Sequence, residues 1–112
     1  MGDVTLAPTA AVPTGIASST QAMAIADNYI VRNNGRVLLH FVKTGAGAAT
    51  ITVVTPNTVG GLAIAEQTFV VPATTGNVWA GPFDPGIYND ASGDLDVSTS
   101  EDTAITVEAV QI

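Results

Sequence analysis

Short runs of alternating apolar and polar residues, separated by closely spaced turn residues, make up most of the chain after residue 27. The clearest run is 36–43, in which Leu39 and Phe41 fall on one face of a strand and Leu38 and Val42 fall on the other. Apolar groups on both faces predict a strand that is central in its sheet or covered by a partner.

The same period of two recurs along the rest of the chain. In the last run, 103–111, Ile105, Val107 and Ala109 alternate with more polar neighbours, so we expect their side to be buried. The turn sequence at 33–35, Asn-Asn-Gly, predicts a hairpin that joins the strand before it to the strand after it. Further strands are predicted at 28–31, 49–55, 67–71, 77–80 and 94–98, with a short one near 62–65.

About eight strands with short turns and no convincing helix predict an all-β fold, a single β-sandwich of jelly-roll or immunoglobulin-like type. Residues 1–20 lack a sustained period and are interrupted by proline and glycine, so they are predicted to form an extended N-terminal arm before a domain at 21–112. A disordered tail is the alternative. The arm's candidate partner-binding residues are Val4, Leu6, Pro8, Val12, Pro13 and Ile16.

The composition indicates that the folded domain exposes neutral and apolar side chains on its surface. Of the 112 residues, 46% are hydrophobic and only 12% are charged, yet no run approaches the roughly 20 apolar residues of a membrane span. There is no cysteine, which excludes a disulfide framework and thiolate metal sites. A small β domain with few charges exposes neutral and apolar side chains, and such surfaces suit contact with other proteins.

Charge argues against a nucleic-acid partner. Ten acidic residues against three basic ones give a net charge of −7, whereas nucleic-acid binding needs a basic face. The basic residues lie within 32–43 and most of the acidic ones within 84–108. The N-terminus has no basic segment followed by an apolar one, so we expect synthesis in a cytoplasm without signal processing.

Candidate chemistry is sparse. His40 is the sole histidine, in mid-strand and without a serine-nucleophile motif, so we predict no enzymatic activity. The acidic and serine residues within 90–96 are faintly similar to a calcium loop, but an ordinary turn explains them better because the bidentate glutamate is missing. Neither a metal nor another cofactor is predicted.

Three aromatic residues, Trp79, Phe83 and Tyr88, lie close in sequence around a proline-rich corner. They are candidates for an interface anchor or a sugar-binding platform. The alternative is one core aromatic with two rings packing under loops, because most aromatic side chains serve burial.

A family resemblance is carried by short turn sequences. The segments 33–39, 54–56, 61–63, 70–73, 81–83 and 88–89 resemble those of small head decoration, or minor capsid, proteins of tailed bacteriophages. The resemblance covers about residues 27–112 and implies a β-sandwich that binds the outside of an icosahedral shell. It implies no catalytic residues.

The resemblance therefore implies a decoration or cement protein on the outer capsid surface of a virion, contacting the major capsid protein and stabilising neighbouring subunits. Copies of the chain are expected to form a homo-oligomer, a trimer at local threefold positions, with no nucleic-acid or membrane partner. The alternative function is a carbohydrate-binding or adhesion module of a phage tail or fibre that uses Trp79 and Tyr88.

Overall fold

The computed structural model describes residues 3–17 and 20–112, and this part of the chain is nearly all β. The elements, in chain order, are β1 (Asp3–Leu6), β2 (Thr9–Ala10), β3 (Gln21–Ala22), β4 (Asn28–Arg32), β5 (Val37–Lys43), β6 (Ala49–Val53), β7 (Thr58–Val59), β8 (Leu62–Ala63), β9 (Gln67–Val71), β10 (Gly76–Ala80), the one-turn helix α1 (Pro85–Tyr88), β11 (Asp94–Thr99) and β12 (Ile105–Gln111).

The strands form two mixed sheets that pack against each other. The first sheet has the order β1-β4-β11-β6-β9, and the second has the order β10-β5-β12-β2, with β3 also paired to β12. Pairing is antiparallel except where β1 runs parallel to β4 and β2 runs parallel to β12. The strands β7 and β8 pair only with each other as a small separate hairpin.

The antiparallel pairs are nested. β4 pairs with β11, β5 with β10, β6 with β9, and β7 with β8. The chain from β4 to β11 therefore pairs like the two arms of one long hairpin. Successive strands of each arm alternate between the first and second sheets, and β7 and β8 pair at its closed end. β12 is added beside β5 at the end of this arrangement.

The period of two in the sequence determines which side chains are buried. Leu39 and Phe41 of β5 and Val107 of β12 point between the sheets with no more than 1% of their surface exposed, alongside Ile51 and Leu95 from the first sheet. The predictions of a central strand at β5 and of a buried apolar side on β12 are confirmed. The opposite side chains of both strands form the outer face of the second sheet.

The hairpin predicted at 33–35 is wrong. The turn itself forms, because the Asn33 side-chain oxygen accepts a hydrogen bond from the Gly35 backbone N–H at 3.0 Å, and Gly35 has a φ of 86°. However, β4 lies in the first sheet and β5 in the second, so the two strands do not pair. Tyr29 and Phe41 are both buried, which indicates why: each strand covers the core from a different side.

The predicted N-terminal arm lies in part within the sheets. Residues 3–6 form β1 beside β4, and Leu6 is only 8% exposed. β2 and β3 both pair with β12 along the edge not used by β5, and residues 11–17 between them have exposed side chains. Met1, Gly2, Ser18 and Ser19 belong to the predicted arm but lie outside the described residues.

Candidate interaction surface

Two strand edges lie side by side at one end of the two sheets. β9 is the last strand of the first sheet, β10 is the last strand of the second, and the two are neighbours. The N-terminal strands lie at the other end of both sheets. We call β9, β10 and the connecting residues 72–75 the uncharged flank, because residues 67–80 contain no Asp, Glu, Lys or Arg.

The two strands of the flank, β9 and β10, contain no charged residue and no proline, and their pairing with β6 and β5 has no bulge. Exposed edge strands normally carry charges, bulges or proline that discourage pairing with another chain. Within the part of the chain that the structure describes, no strand pairs with the outer edge of β9 or β10. From residue 44 to residue 83 the single charged side chain is Glu66. Both edges can therefore accept a further strand without burying a charge.

Large apolar side chains project from the flank into solvent. Val70 of β9 is 56% exposed and Trp79 of β10 is 54% exposed. Val70 lies on the outer face of the first sheet and Trp79 on the outer face of the second. Exposed apolar side chains on charge-free strands are typical of a protein interaction site. Trp79 is the strongest anchor candidate, since tryptophan is enriched among the residues that dominate interface energies.

Trp79 is held in place by His40. The indole and imidazole rings are stacked, with centroids 4.0 Å apart and planes 5° from parallel. His40 Nδ1 lies 2.9 Å from Oε1 of Glu108, and His40 Nε2 is hydrogen-bonded to the side-chain oxygen of Asn77. Trp79, His40 and Glu108 are direct neighbours across β10, β5 and β12. With both ring nitrogens bonded, the imidazole gives a fixed support to the indole.

The other face of the indole is directed past the sheet. His40, on β5, covers the side of Trp79 that faces the middle of the sheet. β10 is the edge strand of that sheet, so no described strand lies on the other side of the indole. A side chain on a strand added beside β10 would lie about 5 Å from Trp79, within contact distance of its free face.

The nine candidate residues from the sequence fall into three groups in the structure: exposed, half-buried and buried. Val12, Pro13 and Ile16 are exposed, and so is Trp79. Pro8, Val4 and Tyr88 are half-buried, the last two packing against the core. Leu6 and Phe83 are buried in the core, at 8% and 5% exposure. They are therefore not surface residues of the chain.

Trp79 does not share a cluster with the other two aromatic residues. Phe83 and Tyr88 pack edge to face with ring centroids 5.3 Å apart, and Phe83 belongs to the core. Trp79 lies on the outer face of the second sheet instead. Sequence reasoning missed Val70 and the supporting role of His40. The charge-free run at 67–83 was a visible signal for the flank.

The acidic residues of 90–96 form a turn. Asp90 accepts hydrogen bonds through one carboxylate oxygen from the backbone N–H groups of Ser92, at 2.8 Å, and Asp94, at 3.1 Å. Asp94 also pairs with Arg32 at 3.2 Å. Among the residues described, no group of three or more His, Asp or Glu side chains is placed to hold a metal ion.

Two carboxyl groups have shifted pKa values. Burial, with smaller contributions from the negative charges of Asp3, Asp90 and Glu66, raises the pKa of Asp96. Hydrogen bonds from the Thr103 hydroxyl and from the Thr103 and Asp102 backbone lower the pKa of Glu101. Neither group belongs to the uncharged flank.

A small cavity lies at the opposite end of the second sheet. It has a volume of about 150 Å³ and is lined by Leu6, Thr20, Gln21 and Glu108, among others, where β2 and β3 leave a gap along β12. This volume is below the roughly 300 to 1,000 Å³ typical of ligand pockets. The flank remains the better candidate site.

Comparisons with protein-family models, with curated proteins and with solved structures found no match. Across residues 3–17 and 20–112, no helix has the length and apolar character required to cross a bilayer.

Proposed function

We propose that this chain is a structural virion protein, a decoration or cement protein that binds the outer capsid surface of a tailed bacteriophage. Its partners would be the major capsid protein and further copies of itself, and it would carry out no catalysis. The observation that supports the proposal best is the uncharged flank, in which two open strand edges lie beside exposed Val70 and Trp79.

We further propose that the two sheets form a jelly-roll sandwich. A jelly roll is built from eight strands in two Greek keys, and it is frequent in viral capsid domains. The nested pairing of β4–β7 with β8–β11 supports this choice, because a long folded hairpin produces that order of pairs. In this proposal β1 and β2 complete the ends of the two sheets, and 11–17 is the part of the predicted arm that is available to a partner.

The flank supports attachment through several small contributions. Fully burying an apolar side chain of the size of valine or larger contributes about 1.5 to 3 kcal/mol, and an added strand supplies main-chain hydrogen bonds as well. A shell presents the same site at every subunit, so individually weak contacts combine when linked copies bind together. A cement protein needs this combination of modest contacts and repetition.

Sedimentation with undecorated phage heads tests the proposal. Wild-type protein should pellet with the heads, and Val70→Asp should reduce the bound fraction at least tenfold, because it places a charge in the flank. Ile25→Asp is the matched control: Ile25 is 54% exposed, close to Val70, but lies between β3 and β4 at the other end of the sheets. If wild-type protein stays in the supernatant at about micromolar concentration, decoration is not its function.

A second candidate function is carbohydrate binding at a tail or fibre. The observation in its favour is the exposed indole of Trp79 with the side chain of Asn77 two residues away on the same face, because sugars stack on aromatic rings and bond to amides. Glycan-array binding that disappears in Trp79→Ala, without binding to heads, would establish this function in place of decoration.

A further inference from the structure

We infer that two copies of this chain pair through their β10 edges, antiparallel and about a two-fold axis, so that the second sheets join into one continuous sheet. This inference rests on the proposed function, since it names a second copy as the partner at the β10 half of the uncharged flank. The shell would then contact the outer face of the first sheet, on which Val70 lies.

The geometry of β10 suits pairing with itself. Trp79 and Asn77 lie on the outer face, while Val78 and Ala80 point toward the core. Residues directly opposite each other in an antiparallel pair lie on the same face of the sheet. In the allowed two-fold registers, Trp79 therefore lies opposite either Asn77 or Trp79 of the second copy. In both, the free face of the indole is covered.

Charge favours a second copy at this edge over other parts of the surface. The chain carries a net charge of −7, so copies repel each other when their acidic faces approach. The outer face of the first sheet carries Asp94 and Asp96, whereas β10 has no charged residue. Contact through β10 brings together the neutral parts of two acidic molecules.

The symmetry limits the size of the assembly. A two-fold pairing uses the same edge on both copies, so both β10 edges are consumed and growth stops at a dimer. Val70 projects from the outer face of the first sheet, on the side opposite to Phe69 and Val71, so its side chain stays exposed on each copy. A dimer of this kind presents two equivalent outer faces of the first sheet, each with an exposed Val70, and can therefore bridge two shell subunits.

An edge-only interface is small, so the affinity is expected to be modest. Interfaces well below the standard size of about 1,600 Å² are typical of transient association. We therefore expect dissociation constants of about 10 µM to about 1 mM in free solution, with the high local concentration on a shell favouring the dimer there.

The test uses the purified chain alone, at concentrations from about 1 µM to about 2 mM, a range that spans the expected dissociation constants. Sedimentation equilibrium measures the mass, and the emission maximum of Trp79, the only tryptophan, measures the burial of the indole. We expect the mass to double and the emission to shift to shorter wavelength with one common midpoint. A mass that stays monomeric, a trimer, or a dimer without an emission shift would each overturn the inference.

Two charge variants locate the interface. Asn77→Asp keeps the oxygen that accepts from His40 while adding a negative charge at the edge, so it should weaken dimerisation at least tenfold, with partial recovery at high salt. Thr106→Asp adds the same charge in the same row of the outer face, but two strands away on β12. It should leave dimerisation within about twofold of wild type, since the charge lies roughly 10 Å from the edge. Circular dichroism verifies that both variants fold.

The outcomes separate this inference from the proposed function. A chain that binds heads but remains a monomer at all concentrations overturns the β10 dimer and leaves decoration in place. A chain that dimerises with the expected sensitivity to Asn77→Asp but never binds heads supports the dimer and contradicts decoration. Equal dimerisation of both charge variants places the interface elsewhere and overturns the inference.

Discussion

The indole ring of Trp79 lies flat against the imidazole ring of His40, at a centroid distance of 4.0 Å. The two residues face each other across β10 and β5, and the stack connects an exposed aromatic residue to a half-buried polar one. The carboxylate of Glu108, on the next strand, holds the imidazole from the other side. The orientation of the exposed indole therefore depends on His40, on the next strand, and on Glu108, two strands away.

Removing His40 should destabilise the fold and release Trp79. His40→Ala deprives the buried Glu108 of one hydrogen-bond partner, which costs about 1 to 3 kcal/mol of unfolding free energy. Urea unfolding followed by Trp79 emission measures this loss, and the folded-state emission should move to longer wavelength. Val42→Ala, a half-buried apolar position on the same face, is the control and should not change the emission of the folded state. Unchanged folded-state emission in His40→Ala would contradict the support that His40 gives to Trp79.

Asn33 should be among the most sensitive polar residues. It is only 4% exposed, its amide nitrogen donates to the Phe83 carbonyl at 3.0 Å and to the Asn89 side chain at 2.7 Å, and it ties the turn after β4 to the helical corner. Asn33→Ala leaves buried groups without partners, so we expect a loss of about 2 to 4 kcal/mol in chemical denaturation.

The neighbouring Asn34 provides the control for that experiment. It is exposed and makes one described hydrogen bond, from the Arg36 backbone N–H to its side-chain oxygen at 3.0 Å. Asn34→Ala should cost about 1 kcal/mol or less. Equal losses in the two variants would show that the link between the turn and the corner adds nothing to stability.

Much of the β structure could be predicted from the sequence because the side-chain period of two is a local property. The buried faces of β5 and β12 followed directly from the alternation that includes Phe41 and Val107. The pairing of β4 with β11, and not with β5, was beyond this reasoning, since alternation shows which residues are buried but not which sheet a strand joins.

The candidate site was predictable only in part. Trp79 stood out as the only tryptophan, but its separation from Phe83 depends on a strand whose alternate residues face opposite sides of the sheet. The role of His40 requires β5 and β10 to be neighbours in register, a long-range relationship that no local pattern encodes. The absence of charged residues at 67–83 was the sequence signal for the uncharged flank.

Asp96 should make the fold less stable at neutral pH than it would be without that charge. Its pKa is raised in the folded state, mainly by burial, so the ionised carboxylate is disfavoured there relative to the unfolded chain. The destabilisation is fully present above the raised pKa and disappears as the pH falls below 3.8, the ordinary value for aspartate. Asp96→Asn should therefore raise the melting temperature at pH 7, with a gain that shrinks toward pH 3.

The matched control for Asp96 is Asp102→Asn, which removes the same formal charge from an exposed position. It should change the melting temperature at pH 7 by less than Asp96→Asn does. A gain from Asp96→Asn that does not depend on pH would refute ionisation as its cause.

Glu101 acts in the opposite direction. Its lowered pKa stabilises the fold at neutral pH, and that contribution is lost as the pH falls through the folded-state pKa.

The N-terminal strand should contribute directly to stability, which affects how any role in docking is tested. Leu6 is 8% exposed and packs in the core, so Leu6→Ala should cost about 2 to 3 kcal/mol in urea unfolding. Val12 is 49% exposed, and Val12→Ala should cost no more than about 0.5 kcal/mol. Deleting residues 1–20 would thus combine loss of stability with loss of any docking contact, whereas substitutions at Val12 and Ile16 separate the two. If Leu6→Ala proved as mild as Val12→Ala, β1 would not belong to the stable core.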